Sequence, residues 1–65
     1  MSKGELITFV EENKGKKIEL HYENNIYPNT WGDDDIFVYD TNNDKHYTEL
    51  IETINTHHIH NIKTI

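Results

Sequence analysis

The sequence has no cysteine, arginine, alanine or glutamine, and only one proline, one serine and three glycines. Without cysteine there is no disulfide, no thiolate zinc site and no thiol nucleophile. Without arginine the chain lacks the side chain that reads guanine bidentately and forks onto phosphate. Six lysines stand against twelve acids, for a formal charge of -6. That sign opposes the phosphate attraction on which nucleic-acid affinity rests, so no direct nucleic-acid partner is expected. The longest wholly apolar run, Ile36-Phe37-Val38, is three residues, against about 20 for a membrane span. The start Met1-Ser2-Lys3-Gly4-Glu5 leads into an amphipathic stretch, not the apolar core of a signal peptide. No membrane partner and a cytoplasmic location are expected. Gly4, Gly15 and Gly32 are scattered and form no phosphate loop, and Ser2 is the lone serine. A chain of 65 residues also has little room to enclose a substrate. The expectation is a non-enzymatic protein with no cofactor. Missing alanine and glutamine beside abundant isoleucine and asparagine match codon usage in an AT-rich genome, bacterial or phage, and carry no chemistry.

Hydrophobic residues make up 34% and mean hydropathy is -0.86, low for a globular domain. Yet nine isoleucines, two phenylalanines, four tyrosines and one tryptophan fall mostly in periodic patterns, which predicts folding rather than disorder. Residues 1–65 read as a single small domain. Its core is expected to supply only about 3–5 kcal/mol.

Residues 2–13 predict a helix. Ser2 can cap it and Glu5 sits three residues on, the capping-box spacing. Leu6, Phe9, Val10 and Asn13 follow i, i+3, i+4, i+7, with Ile7 widening the apolar face. Gly15 is the natural left-handed stop. Lys17 to Glu23 alternates, with Ile18, Leu20 and Tyr22 on one side, the mark of a half-buried strand. Asn24-Asn25 suits a tight turn, and Ile26-Tyr27 a short return strand that Pro28 confines to an edge. Residues 29–35 read as a loop. Ile36-Phe37-Val38-Tyr39 predicts a central strand, apolar on both faces. Thr41 to Asp44 reads as a turn. Residues 46–55 are ambiguous. Tyr47, Leu50, Ile51 and Ile54 keep helical spacing, which favours a helix, while Thr48 and Thr53 suit a strand. Ile59, Ile62 and Ile65 recur every third residue, which a strand with a bulge or a 3₁₀ turn would explain.

These elements point to an α+β fold, an N-terminal helix packed on a small, strongly bent antiparallel sheet or SH3-like barrel, with the helix over one end. The pattern resembles the SH3-like or Sm-like small barrel of WYL-type domains. Lys16-Lys17-Ile18-Glu19-Leu20-His21-Tyr22 resembles the first strand of that family and Pro28 its proline. Asp35-Ile36-Phe37-Val38-Tyr39-Asp40 resembles the strand that names it, and Ile59 to Ile65 the closing strand. The Trp-Tyr-Leu signature is absent. So are the arginines that hold anionic ligands in such domains, so the resemblance implies the fold and not that binding role.

Three constellations bear on chemistry. His57, His58 and His60 lie within four residues. On a strand, His58 and His60 share a face and with an acid could hold zinc or nickel; solvent-facing histidines are the plainer reading. Charging all five histidines near pH ~6 would take the formal charge from -6 toward -1. Asp40-x-Asn42-x-Asp44 matches the first positions of an EF-hand loop, but Lys45 stands where glycine is required and Ile51 where the bidentate glutamate is required. It reads as a solvated turn. Last, Asp33, Asp34 and Asp35 follow Trp31-Gly32, with Tyr27 nearby. Acids beside aromatics can steer and anchor a basic protein partner; alternatively they solubilise a loop, with Trp31 folded over the barrel end.

The functional expectation is a small acidic protein-interaction or regulatory module of phage or mobile-element type, its contact residues Trp31, Tyr27, Asp33, Asp34 and Asp35. The alternative is a metal- or small-ligand-binding domain using His57, His58 and His60. A homo-oligomer formed through an edge strand is a third possibility, with the last strand as the exposed edge.

Overall fold

Helix α1 (Lys3–Glu12) starts where the capping pattern places it. Ser2 Oγ accepts from the Glu5 amide at 3.2 Å and donates to Glu5 Oε1 at 3.2 Å. The helix ends at Asn13, whose Nδ2 donates to the Phe9 carbonyl at 2.8 Å. Asn13 thus serves as a cap and not as part of the apolar face. Gly15 then takes φ +100°, a conformation that costs a side-chain-bearing residue about 1–2 kcal/mol.

This computed structural model describes residues 2–22 and 35–65. After α1 come β1 (Lys17–Tyr22), β2 (Asp35–Asp40), α2 (Asp44–Thr56) and β3 (Ile59–Thr64). The expected turn at Asn24-Asn25, the return strand at Ile26-Tyr27 and Pro28 lie outside the described residues. The strands form an antiparallel sheet in the order β2-β1-β3, so β1 is central. The fold is α+β, as expected, but the sheet is not closed into a barrel. Among the described residues it ends at β2 on one side and β3 on the other.

Alternation in β1 decides which face is covered. Ile18, Leu20 and Tyr22 are buried and Glu19 and His21 only partly so. The buried set shares a cluster with Leu6 and Val10 of α1, Tyr39 of β2, Leu50 and Ile54 of α2, and Ile59 and Ile62 of β3. Both helices therefore lie on one face, and α1 does not plug an end. They run antiparallel: Lys3 Nζ donates to the Asn55 carbonyl at 2.8 Å, while Lys14 Nζ sits 5.1 Å from the Tyr47 ring at the other end. The Lys3 ammonium thereby satisfies a carbonyl in the last turn of α2, where the helix dipole is negative and the helix has no basic residue of its own.

The ambiguous stretch is a helix, α2. Asn43 caps it by accepting from the Lys45 and His46 amides at 3.0 and 3.2 Å. Thr48 and Thr56 bond back to the carbonyls of Asp44 and Glu52, each at 2.9 Å, so these threonines are accommodated without breaking the helix. In β3 the ladder shifts register between His21 and Tyr22, with Tyr22 opposite Ile59 and His21 opposite Asn61. That irregularity turns Ile59 and Ile62 to the same covered face despite their odd spacing. Ile65, the next in the series, is exposed.

One buried polar group ties the layers together. Thr41 Oγ1 donates to the Lys16 carbonyl at 2.6 Å and accepts from the Gly15 amide at 2.7 Å. Asn42 Nδ2 adds a bond to the Gly15 carbonyl at 2.9 Å. The turn before β1 and the turn after β2 are thus clasped together, leaving the polar groups of this crowded corner satisfied.

Candidate functional site

The face of the sheet away from the helices carries the odd-numbered residues of β1. Glu19 and His21 form its middle. The paired register sets Val38 beside Glu19 and Ile36 beside His21 on β2, and Lys63 and Asn61 in the same rows on β3. Among the described residues no helix covers this face. Ile36 is 58% exposed and Val38 50% exposed. A strand that reads in sequence as central and apolar on both sides is therefore, among the described residues, an edge strand with two exposed aliphatic side chains. The apolar pattern of β2 reflects its use on both faces, not burial of both.

Glu19 organises the polar half of the face. Its Oε2 receives His21 Nε2 at 2.8 Å and Lys63 Nζ at 3.2 Å. The His21 hydrogen bond, followed by that from Lys63, holds the Glu19 carboxyl below its ordinary range. The result is a hydrogen-bonded polar triad beside an aliphatic pair, a mixed surface of the sort found in protein interfaces.

On the covered face, Tyr22 stacks on Phe37 with ring centroids 4.8 Å apart, and the His57 ring lies tilted at 4.8 Å on the same tyrosine. Burial, with a hydrogen bond to Tyr39 second, pushes the Tyr22 phenol up to about 12. Tyr39 in turn lies 3.3 Å from Thr53 Oγ1. This is structural chemistry, a phenol kept protonated inside a core.

The histidine cluster divides. His58 and His60 meet edge to face at 5.3 Å, while His57 turns to Tyr22 and contacts Thr56 Oγ1 through Nδ1 at 3.0 Å. Among the described residues no group of three histidine or acidic side chains is placed to share a metal ion. The Asp40-x-Asn42-x-Asp44 motif is a turn. Asp40 Oδ1 accepts from the Asn42 amide at 3.0 Å, and Asp44 opens α2.

Of the expected contact residues, Tyr27, Trp31, Asp33 and Asp34 lie outside the described residues. Asp35 is the first residue of β2, exposed and opposite Tyr22. The residues the sequence reading missed are Ile36, Val38, Glu19, His21 and Lys63. Their signal was present as alternation in β1, but the strand order that brings them together was not. Open grooves of about 500 Å³ beside Glu5, Phe9 and Glu12 on α1 and about 470 Å³ beside Tyr47, Ile51 and Glu52 on α2 are shallow. No helix among the described residues is long and apolar enough to cross a membrane. Comparison with protein-family models, with curated proteins and with solved structures finds no match.

Proposed function

We propose that this protein is a non-enzymatic interaction module that binds another protein through the uncovered face of its sheet. The observation that carries this reading is the exposure of Ile36 and Val38 beside the Glu19–His21–Lys63 triad. Two aliphatic side chains on a small sheet face gain by being covered, and a partner covering them would meet fixed charges that select orientation. The acidity of the chain favours a basic partner. Tyr27, Trp31, Asp33 and Asp34 fall between β1 and β2 in sequence and belong to the same proposal, with Asp35 at the start of β2. A cytoplasmic location fits this reading.

The test is comparative capture from lysate with the wild-type chain and Val38→Lys. Val38 is half exposed, so the variant should fold; circular dichroism checks that it does. Proteins retained by the wild type and lost with the variant support the reading. Identical retention by both, or nothing above background, sinks it.

A further inference from the structure

The hydrogen-bond phase of β2 leaves a particular pair of residues open on its outer edge. The Thr41 amide donates to the Lys16 carbonyl at 3.3 Å. Lys17 lies opposite Asp40 in the adjacent row. In an antiparallel ladder bonded and non-bonded rows alternate. The Tyr39, Phe37 and Asp35 backbones therefore point toward β1, and those of Asp40, Val38 and Ile36 point away from it. Asp40 is already satisfied: its amide donates to His46 Nδ1 at 3.3 Å, and its carbonyl accepts from the Asn43 amide at 2.9 Å. What remains on the described outer edge is the amide and carbonyl of Ile36 and of Val38, the two residues whose side chains are also exposed.

The two edges of the sheet differ in how they are protected. On β3, Lys63 and the register shift at its start are devices that discourage strand addition. On β2, residues 35–40 carry no lysine, no proline and no register shift. Among the described residues, these features make β2 rather than the last strand the edge better suited to pairing.

We infer that β2 pairs with β2 of a second copy of this chain, antiparallel about a twofold axis at Phe37. The inference rests on the reading of the sheet as a contact surface and names the occupant of its edge. An antiparallel pairing about an axis normal to the sheet keeps the open faces on one side, so only registers that match even with even residues are admitted. Placing Phe37 opposite its own copy sets Ile36 opposite the second copy's Val38 and Val38 opposite its Ile36. All four free backbone groups of each edge are then used, in two bonded rows. Moving the register two residues in one direction sets Ile36 against Asp40, whose groups are occupied. Moving it two residues in the other takes Val38 beyond the start of β2. The central register also joins four aliphatic side chains into one stripe and sets Asp35 against Tyr39 rather than against a like charge. Two sheets become one of six strands, in the order β3-β1-β2-β2-β1-β3.

The charge of -6 on each copy opposes this association, so added salt should tighten it, the reverse of a dimer held by ion pairs. Sedimentation equilibrium from micromolar to millimolar chain, at low and high salt, tests it. The expected result is a monomer–dimer equilibrium that salt tightens. Ile36→Pro removes an outward amide without touching a bond to β1, and should weaken the dimer about tenfold or more with the circular dichroism unchanged. Thr64→Pro, on the outward phase of β3, should leave it as it was. A second readout needs no variant: the Ile36 and Val38 amides should become slow to exchange as concentration rises. A monomer at every concentration overturns the inference, and so does a dimer lost with Thr64→Pro but kept with Ile36→Pro. A monomer that still loses captured proteins on Val38→Lys removes self-pairing alone and leaves the interaction reading standing.

Discussion

Two side chains on opposite faces of β1 make stability depend on pH in opposite directions. Glu19 has its carboxyl lowered below 4.5 by the His21 and Lys63 hydrogen bonds. Its contribution is present above the unfolded value and is lost as pH falls through the folded one. Tyr22 is raised from 10.0 to about 12, so its contribution is present below pH 10 and is lost as pH rises from 10 toward 12. Chemical denaturation midpoints across pH should therefore fall at both ends. Glu19→Gln should flatten only the acid limb and Tyr22→Phe only the alkaline one, with tyrosinate absorbance reporting the latter. A Tyr22→Phe profile identical to wild type above pH 10 would show that the phenol is not held as described. These roles were half legible in the sequence. Alternation placed Glu19 and Tyr22 on opposite faces, but their partners, Lys63 and Tyr39, come from strands whose neighbours no local pattern names. The histidines were legible as a cluster but not in their arrangement, for the same reason. Of three residues close in sequence, His58 and His60 stay in contact while His57, at the end of a helix, turns to Tyr22.

Elements were read best where periodicity and a cap agreed. In α1 both did, and the helix falls within one residue of its expected bounds. In α2 the spacing was right and the cap was overlooked, because Asn43 read as part of a turn. Its two bonds to backbone amides satisfy donors that a helix start leaves bare. Asn43→Ala should cost about 1 kcal/mol and lower the melting temperature by roughly 4–8 °C. Thermal melts followed by circular dichroism measure this, and Asn43→Asp should recover most of the loss. The odd isoleucine spacing of β3 announced an irregular strand, and the register shift supplies its cause. The misplacement was β2, where a run of apolar residues looked central. Burial on two sides and burial on one side with a sticky second face give the same string of letters. Only the order β2-β1-β3 separates them.

At the scale of the whole molecule the core is thin. Ten apolar side chains among the described residues are buried, and Leu50 and Ile54 sit at its centre with no exposed area. A core of this size supplies about 3–5 kcal/mol, and truncating one central leucine removes about 2–5. Leu50→Ala should leave the chain largely unfolded at room temperature, whereas Leu50→Met, near in volume, should cost less than ~1.5 kcal/mol and stay folded. Urea titration of the two variants distinguishes this thin-core account from one in which another element carries the stability. The central position of β1 has a further consequence for how the chain is made. The strand at residues 17–22 is synthesised before either neighbour, and one of the two, at residues 59–64, follows only after α2. At roughly 5–20 residues per second, β3 follows β1 by seconds, and until it does one row of β1 amides has no strand to meet. A chain truncated before residue 59 should thus be held by chaperones that release the chain carrying β3.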